Sequence, residues 1–374
     1  MIHMEGLMIW PHSYCRSTLA FYKGLGIAFK CQTVICMLNN TSDKREKVGF
    51  SSNEFDDMKI IFIESDAQAI ELITLHSGWL HLFGAYQNSP KHQRLILKAQ
   101  KLNIKYGIIS EAPCNMESSI DKKLLKNIYI NMVLPVKVNQ YIKHSEFVIN
   151  LSGDSTNEMG RLGWRLNKII PCGYYSPPII GSKVRQREEK DWNNFTILMT
   201  GIHEWHRSPM LLMEALYQLN KYSLKFQSFI TQEGPLLPEM KKYALDHDIR
   251  NVDFLGFVPM EKLIQLYETC SVFIGAGSHE PWGMRLNDAL QCGAPLIVNE
   301  GMGGRKLVDD YKCGFVFEKD NSYDLAMKIK SLILDKNLYL QIASNAASAA
   351  IEIDPLRKAK YIADIITKQY KISL

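Results

Sequence analysis

Two carboxylates, Glu280 and Asp288, stand eight residues apart around the start of a predicted helix. Pro281 suits the first position of that helix, because a proline lacks the N–H group that would be unpaired there. The backbone N–H groups of Gly283 and Met284 then become donors at the positive end of the helix. Such a helix terminus binds anions, a pyrophosphate among them.

A carboxylate on each side of an anion site predicts a ligand of defined chemistry. Carboxylate oxygens accept hydrogen bonds from hydroxyl groups. Glu280 and Asp288 are therefore expected to hold two diols with phosphates between them, as in a nucleotide sugar. The simpler interpretation is that Glu280 only complements the helix dipole and that Asp288 lies on a solvated face. The surrounding sequence decides between these interpretations.

The predicted helix belongs to an alternation of short apolar runs and amphipathic segments along the whole chain. This alternation predicts mostly parallel sheets with helices on both faces. One series of strands starts at Gly6–Trp10, and another starts at Phe195–Thr200, after the proline-rich stretch Pro171–Pro178. A long helix near Ser119–Lys143 is predicted to bend at Pro135. The fold class is therefore α/β, with two doubly wound domains and ligands at the carboxyl ends of strands.

The region that follows Glu280 resembles the donor-site signature of GT-B fold glycosyltransferases of family 4, which retain anomeric configuration. The signature consists of Glu-Pro-Trp-Gly, an acid eight residues after the first, and then Ala-Leu-Gln-Cys-Gly-Ala-Pro-Leu-Ile-Val. Further similarities in the second half are Thr200-Gly201, Arg207, the Gly234 loop, residues 254–258, Gly303-Gly304 and residues 314–316. The first half is similar in layout.

The resemblance implies a GT-B fold, in which two Rossmann-like domains face a central cleft. It implies an enzyme that moves a sugar from a nucleotide diphosphate sugar, a UDP-sugar in particular, to a glycan acceptor. Glu280 would bind the sugar hydroxyls, Arg207 the diphosphate, and His81 would lie near the reacting sugar. Asp288 would bind the ribose. The implied donor-binding residues are Gly201, His203, Phe257, Val258, Trp282, Gly283, Met284 and Asp288.

The resemblance also implies a division of labour between the two domains. Residues 1–176 would bind the acceptor, 177–192 would be a linker, and 193–354 would bind the nucleotide sugar. Residues 355–374 would form a C-terminal helix that packs back toward the N-terminal domain. Where the family has two glycines in its first loop, this chain has residues 11–18 of different type. Ser13 and Arg16 are therefore predicted to face the acceptor side.

Two departures from the family pattern concern charged and titratable groups. The family has an arginine and a lysine near the diphosphate, whereas here Ile202 stands at the arginine position and Arg207 at the lysine position. His203, His206 and Arg285 are the candidates for the missing cation. The family histidine of the fourth N-terminal strand is also replaced, by Phe83, with His81 two residues earlier. A structural role in the strand is the alternative for His81.

No metal and no other cofactor is predicted. Asp246-His247-Asp248 has the Asp-x-Asp pattern of metal-dependent transferases, but it lies at the end of a predicted helix, where it is expected to be a surface feature. Two alternatives to a transferase stay open. One is a non-catalytic nucleotide-sugar-binding GT-B protein, and the other is a GT-B sugar-nucleotide epimerase.

The charge of the chain is unevenly distributed. The net charge of +5 arises in residues 1–180, which hold 20 basic and 15 acidic residues. This excess is too small to indicate nucleic acid, but it suits an anionic membrane surface. Two segments combine lysines with large apolar residues at helical spacing, namely 91–102 and 122–130. Lysines near an anionic leaflet each contribute about 1 kcal/mol to binding.

These observations lead to a hypothesis about location and pathway. No long apolar run and no signal peptide is expected, and the eight cysteines are scattered without a Cys-x-x-Cys pair, as in a reducing compartment. The protein is predicted to be a cytoplasmic enzyme, peripherally associated with the inner face of a membrane. Its acceptor would be a lipid-linked oligosaccharide of bacterial surface-polysaccharide biosynthesis, such as O-antigen, capsule or lipopolysaccharide.

Overall fold

The computed structural model describes residues 2–3, 5–12, 16–38, 57–117 and 119–373. Within it the chain forms two compact units. Unit 1 comprises Met1–Pro113, Leu124–Pro177 and Asp354–Leu374. Unit 2 comprises Cys114–Lys123 and Pro178–Ile353.

Unit 1 is built on a parallel sheet of seven strands in the order β4-β3-β2-β5-β6-β7-β8. Its strands are β2 Gly6–Trp10, β3 Gln32–Met37, β4 Lys59–Phe62, β5 Leu80–Phe83, β6 Tyr106–Ser110, β7 Val148–Asn150 and β8 Ile169–Pro171. Of the seven strands of this sheet, β2 comes first in sequence. It lies inside the sheet, so the chain winds outwards in both directions from it. All five residues of β2 are buried, because helices cover both faces of a parallel sheet.

Helices of unit 1 surround this sheet. They are α1 Arg16–Phe29, α2 Asp66–Leu75, α3 Pro90–Lys101, α4 Ile120–Ile128, α5 Leu134–Ile142, α6 Thr156–Arg161 and the C-terminal α15 Pro355–Tyr370, of which α4 begins in unit 2. Helix α15 packs on α1. Gly24 of α1 allows the close approach, since a Cβ there would lie 2.6 Å from the Cβ of Ala359. Beyond α15, β15 Ile372–Ser373 pairs with β1 Ile2–His3.

The helix predicted over residues 119–143 is interrupted. A π-helical turn, Tyr129–Val133, separates α4 from α5. Pro135 is the second residue of α5, and its missing N–H group removes one hydrogen bond from the helical ladder. The ladder changes its register in the turn before Pro135, so the irregularity precedes the proline rather than starting at it.

Unit 2 is built on a parallel sheet of six strands in the order β11-β10-β9-β12-β13-β14. Its strands are β9 Thr196–Met199, β10 Gln227–Thr231, β11 Val252–Gly256, β12 Val272–Gly275, β13 Leu296–Asn299 and β14 Gly314–Phe317. This is the doubly wound order of nucleotide-binding sheets, with the first strand beside the fourth. The chain reverses its winding between β9 and β12. Ligands of such sheets bind at the carboxyl ends of the strands that flank this switch point.

The helices of unit 2 cover both faces of its sheet. They are α7 Glu189–Asn193, α8 Met210–Asn220, α9 Leu237–Asp246, α10 Met260–Thr269, α11 Met284–Gln291, α12 Arg305–Tyr311, α13 Ser322–Leu334 and α14 Lys336–Glu352. Helix α8 packs on α13, and both contribute to the main apolar core of the unit. The core is continuous with the buried strands β9 and β12.

The boundaries of the units differ in two places from the boundaries expected from the sequence. Residues 178–192, expected to be a linker, belong to unit 2. Arg187 explains this, because its side chain is buried and donates hydrogen bonds to backbone carbonyls of Tyr267, Cys270 and Cys292 in that unit. Residues 114–123 also belong to unit 2, where Lys123 lies 5.4 Å from the ring centroid of Trp205.

Two further features concern the cysteines and the apolar lengths of the helices. The seven cysteines in the described part of the chain all carry free thiols. Among the helices of the described residues, none is both long and apolar enough to cross a lipid bilayer.

Candidate active site

The residues at the carboxyl ends of β9 and β12 form the switch-point site of unit 2. After β9 the chain continues through Gly201, His203 and Arg207, and after β12 it continues through Glu280 and Gly283. Because β9 and β12 are hydrogen-bonded neighbours, two segments that are 70 to 80 residues apart in sequence meet at one edge of the sheet. This is where a doubly wound sheet binds its ligand.

The helix after β12 starts later than the proline predicts. Helix α11 begins at Met284, with Gly283 as its N-cap at φ 95°. Gly283 is required for two reasons, since this φ disfavours other residues and a Cβ would collide with Met302. Pro281 lies in the connection between β12 and the helix. A β-bridge between Glu280 and Met302 fixes this connection. The first N–H groups of α11 nevertheless have no carbonyl of their own helix to bind, so its N-terminus is a site for an anion.

Two arginines converge on Gly201 at this helix terminus. A Cβ on Gly201 would lie 2.8 Å from Nη1 of Arg285 and 2.9 Å from Nη1 of Arg207. Both side chains are half-buried. In the described residues neither guanidinium has a carboxylate partner, and Nε of Arg207 is buried without any hydrogen-bond acceptor. Like charges this close repel each other, so both would stabilise an anion bound between them.

His203 adds a third nitrogen group to the site. Its side chain is only 2% exposed, and Nε2 is buried without a partner. Burial lowers the pKa of His203, and the positive charges of Arg285 and Arg207 lower this pKa further. The imidazole is therefore neutral at physiological pH. The loop is held in place by hydrogen bonds from His203 N to the carbonyl of Glu233 and from Leu236 N to the carbonyl of His203.

Glu280 is half-buried and stands beside Gly277. One carboxylate oxygen, Oε2, would lie 3.0 Å from a Cβ on Gly277, so the glycine leaves the space that the carboxylate uses. The backbone of Glu280 is fixed by a hydrogen bond from Gly303 N to its carbonyl. The carboxylate is thus presented by a rigid loop at the end of β12, as a group that accepts hydroxyl hydrogen bonds needs to be.

Asp288 lies further along α11, near a buried tyrosine that the sequence did not indicate. Tyr267 shares a hydrogen bond of 3.1 Å with Thr200 at the end of β9. Burial raises the pKa of Tyr267, the negative charge of Asp288 raises it further, and the positive charge of Arg285 opposes this. Asp288, Arg285 and the Tyr267–Thr200 pair are therefore electrostatic neighbours. The position of Thr200 at a strand end was the one available signal for this pair.

The predicted base-contacting residues follow β11. The Phe257 ring is 74% exposed, whereas Val258 is buried. Trp282, another predicted donor-binding residue, is buried, and its Nε1 donates a 2.7 Å hydrogen bond to Oδ1 of Asn287. The Trp282 side chain is therefore part of the packing of α11, and only its backbone is available to a ligand. The donor-binding role predicted for Trp282 therefore does not use its indole ring.

The catalytic role expected for His81 is not supported, because its ring is enclosed in the core of unit 1. Nδ1 accepts a 3.1 Å hydrogen bond from Trp10 Nε1, and Nε2 is 3.0 Å from the carbonyl oxygen of His76, to which it donates. Burial lowers the pKa of His81 to about 4. With both nitrogens engaged and no exposed surface, the ring has no atom to offer a substrate. The alternative of a structural histidine is the correct one.

The remaining predicted residues are located as follows. Ser13 lies outside the described residues, and Arg16 is the first residue of α1, with its side chain outside the description. Asp246 and Asp248 stand at the exposed end of α9. Each makes an ion pair with a neighbour on the surface, Asp246 with Lys242 and Asp248 with Arg250. They lie away from any strand end, as expected of a surface helix end.

The fold defines the class of protein. Two Rossmann-like parallel sheets with covering helices match solved GT-B glycosyltransferase structures. One of these is Anabaena HepE in complex with UDP, with a TM-score of 0.69 and 15% sequence identity over 97% of this chain and 99% of that chain. The same Anabaena protein in complex with UDP-glucose gives a TM-score of 0.65 and 17% identity over 98% of this chain and 100% of that chain.

Comparison of the sequence points to a family within that class. Residues 182–349, which lie in unit 2, match the family described as "Glycosyl transferases group 1". Alpha-D-kanosaminyltransferase of Streptomyces kanamyceticus is 25% identical over 150 residues, which cover 40% of this chain and 37% of that protein. The N,N'-diacetylbacillosaminyl-diphospho-undecaprenol alpha-1,3-N-acetylgalactosaminyltransferase of Campylobacter jejuni is 27% identical over 103 residues, 28% of this chain and 27% of that protein. The match therefore spans well under half of these relatives. Residues 182–349 therefore resemble the group 1 glycosyltransferases, and the fold is that of GT-B structures.

Proposed function

We propose that this protein is a retaining glycosyltransferase that moves a sugar from a UDP-sugar to a glycan acceptor. One observation carries the proposal. Two guanidiniums without carboxylate partners converge on Gly201, beside a helix N-terminus. This arrangement suits a diphosphate, and Glu280 beside it suits the hydroxyls of a sugar. The UDP and UDP-glucose bound to Anabaena HepE support the choice of nucleotide.

The proposed reaction needs no protein nucleophile. As the bond between the sugar and the diphosphate breaks, negative charge builds on the departing phosphate oxygens. Arg207 and the N-terminus of α11 are already aimed at this charge, so they stabilise the transition state more than the ground state. The departing phosphate accepts the proton of the acceptor hydroxyl, and Glu280 holds the sugar by its hydroxyls. We propose that no metal takes part.

The test is release of UDP in the presence and absence of acceptor. Purified protein is incubated with UDP-glucose, UDP-galactose or UDP-N-acetylhexosamines, and UDP is measured with and without a mixture of lipid-linked and soluble glycans. Release that depends on an acceptor, and that persists in EDTA, supports the proposal. Loss of release in EDTA with recovery in Mn²⁺ or Mg²⁺ would contradict the metal-free mechanism.

A second candidate is a non-catalytic protein that binds nucleotide sugars. The structural role of His81 favours it, because the family histidine near the reacting sugar has then no counterpart in β5. Binding of UDP-sugars without transfer to any acceptor, and without hydrolysis, would identify this alternative.

We further propose that the acceptor is lipid-linked and that the enzyme works at the inner face of a membrane, in surface-polysaccharide assembly. The name of the Campylobacter jejuni relative includes a diphospho-undecaprenol acceptor, which supports a lipid-linked substrate.

The two basic helices predicted to meet the membrane differ in how far their apolar faces are buried. Helix α3 buries Leu95, Ile96 and Ala99 against the core of unit 1, so only its polar face is available.

Helix α4 is the better membrane contact. None of its nine residues is buried. Ile120 is 85% exposed, Leu124 61% and Leu125 66%, although large apolar residues rarely stay in water as a group. Lys122 and Lys126 occupy the other side of the helix. An exposed apolar face with flanking lysines is the pattern of a helix that lies in the surface of an anionic membrane.

Liposome sedimentation tests this assignment. Vesicles of phosphatidylglycerol and phosphatidylethanolamine are expected to bind the protein at low salt. The double substitution Leu124→Asp/Leu125→Asp should weaken binding at least about tenfold, since each leucine transferred from water contributes about 1.5–3 kcal/mol. Leu245→Asp is the matched control, because Leu245 is equally apolar and exposed, on α9. Equal binding of both variants, or efficient use of a soluble acceptor without vesicles, would contradict the membrane proposal.

A further inference from the structure

The second arginine of the switch-point site comes from an unexpected element. Arg285 is the second residue of α11, so its side chain leans back over the N-terminus of its own helix. The guanidinium then reaches the point beside Gly201 that Arg207 approaches from the other segment. Two cations from two different strand ends thus share one position.

This location of Arg285 does not stabilise the helix. The N-terminus of a helix carries partial positive charge, so a cation in the first turn is unfavourable there. The first turn of α11 contains no acidic residue to offset the charge, and in the described residues the Arg285 side chain makes no ion pair or hydrogen bond. A cation at the positive end of a helix that makes no ion pair with a residue suits an anionic ligand.

His203, His206 and Arg285 are the candidates for the cation that is missing because position 202 is isoleucine. The structure distinguishes between them by charge and by position. His203 is neutral, because burial lowers its pKa. The Nδ1 atom of His206 faces Oε2 of Glu204 at 3.4 Å, and its ring lies against Trp205. Arg285 alone among the three is a permanent cation directed to Gly201.

We infer that Arg285 is the second diphosphate-binding cation of the site and takes the place of the arginine that the chain lacks at position 202. The inference rests on the proposed function. Arg207 and Arg285 hold the diphosphate between them. The cation expected in the loop after β9 is thus supplied by the first turn of α11, and it binds the same diphosphate.

Binding of free nucleotides separates this role from a structural one. Titration calorimetry is carried out with UDP, and with uridine as a probe that lacks phosphates. Arg285→Leu should weaken UDP binding by about 10- to 100-fold, the effect of losing hydrogen bonds to a charged group, and leave uridine binding unchanged. Arg285→Lys should recover part of the loss, because it keeps the charge but not the planar fork.

A variant that places an arginine at position 202 instead of position 285 is a more specific test. Ile202 is 46% exposed and borders the same site, so Ile202→Arg in the Arg285→Leu background should restore most of the UDP affinity. Arg250→Leu, which removes an exposed arginine paired with Asp248 at the far end of α9, is the matched control. Circular dichroism melting of each variant verifies that it folds.

The outcomes distinguish failure of the inference from failure of the proposed function. If wild-type protein binds UDP and Arg285→Leu binds it within about twofold of wild type, Arg285 does not touch the diphosphate and the inference is wrong. If Arg285→Leu weakens uridine as much as UDP, its effect is structural and the inference is also wrong. If wild-type protein binds neither UDP nor GDP, the proposed function fails and the inference fails with it.

Discussion

Replacing Arg187 with methionine is expected to destabilise unit 2 more than any single surface change. The side chain is buried, and its guanidinium donates four hydrogen bonds to backbone carbonyls. These are Nε to Cys270 at 3.0 Å, Nη1 to Arg185 at 2.7 Å and to Cys292 at 2.8 Å, and Nη2 to Tyr267 at 2.6 Å. Cys270 and Cys292 are the C-caps of α10 and α11, so the cation stands at the negative ends of two helix dipoles.

The magnitude follows from these contacts. Each hydrogen bond from a charged donor contributes about 1.5–3 kcal/mol in isolation, but the cost of burying an unpaired cation offsets much of the sum. Methionine fills the volume but removes this donor, and a carbonyl left without any donor costs about 1–3 kcal/mol. The Cys292 carbonyl keeps the N–H of Arg185, and the Tyr267 carbonyl keeps the thiol of Cys270. A net loss of about 3–5 kcal/mol is expected, as for the removal of one partner of a buried charged pair.

Scanning calorimetry measures this loss. For a unit of this size 1 kcal/mol lowers the melting temperature by about 2–4 °C, so Arg187→Met should lower it by about 6–20 °C. Arg187→Lys should recover only part, because an ammonium cannot reach four carbonyls in the plane of a guanidinium. Arg250→Met, at an exposed ion pair, should change stability by no more than about 0.5 kcal/mol. A melting temperature for Arg187→Met within about 2 °C of wild type would refute the reasoning.

Two further predictions concern catalysis and pH. Glu280→Gln and Arg207→Ala should each lower transfer by about 10²–10³-fold without lowering the melting temperature, because in the proposed function one group holds the sugar and the other stabilises the leaving group; wild-type turnover of either variant would remove that residue from the site. His81 and His92 are buried, and burial lowers each pKa to about 4 from the ordinary 6.5. Between these two pKa values the unfolded chain binds more protons than the folded chain. The free energy of unfolding of unit 1 should therefore fall by about 1.4 kcal/mol per histidine for each pH unit below 6.5. Urea titrations at pH 7 and pH 5 check this, and a pH-independent free energy of unfolding in His81→Gln/His92→Gln is the expected control.

The strands could be anticipated from the sequence because hydrophobic periodicity reports them directly. Short buried runs such as residues 6–10 and 272–275 read as strands of a parallel sheet. The switch point follows once the strands are known, since the doubly wound order fixes which loops meet. Glu280 was predicted from the helix start after one of these strands and Arg207 from the family resemblance, and the structure places both in the loops of the switch point. The likeness of both sheets to GT-B structures confirms the predicted fold class.

What the sequence could not supply is the surroundings of individual side chains. His81 and Phe83 alternate along β5 in the same phase, and nothing in that spacing reveals that Trp10 occupies one ring nitrogen of His81. The start of α11 at Met284 rather than at Pro281 depends on the bridge between Glu280 and Met302, which joins residues from two different loops. Arg187 has no local signal for burial, because three of its four acceptors come from parts of the chain that are 80 or more residues away.

The two basic helices show why periodicity alone leaves function open. Residues 91–102 and 122–130 both combine lysines with large apolar residues at helical spacing, and an amphipathic pattern states only that one face is apolar. In α3 that face lies on the core of unit 1, so its apolar residues stabilise the fold. In α4 the same kind of face is exposed, and its burial has to come from outside the described residues. The lysines of α3 therefore belong to a core helix, where Lys91 donates a hydrogen bond to the carbonyl of Leu38, whereas those of α4 flank the surface that we propose as the membrane contact. The loss of vesicle binding that we expect from substitutions in α4 should consequently have no counterpart in Lys98→Gln/Lys101→Gln on α3.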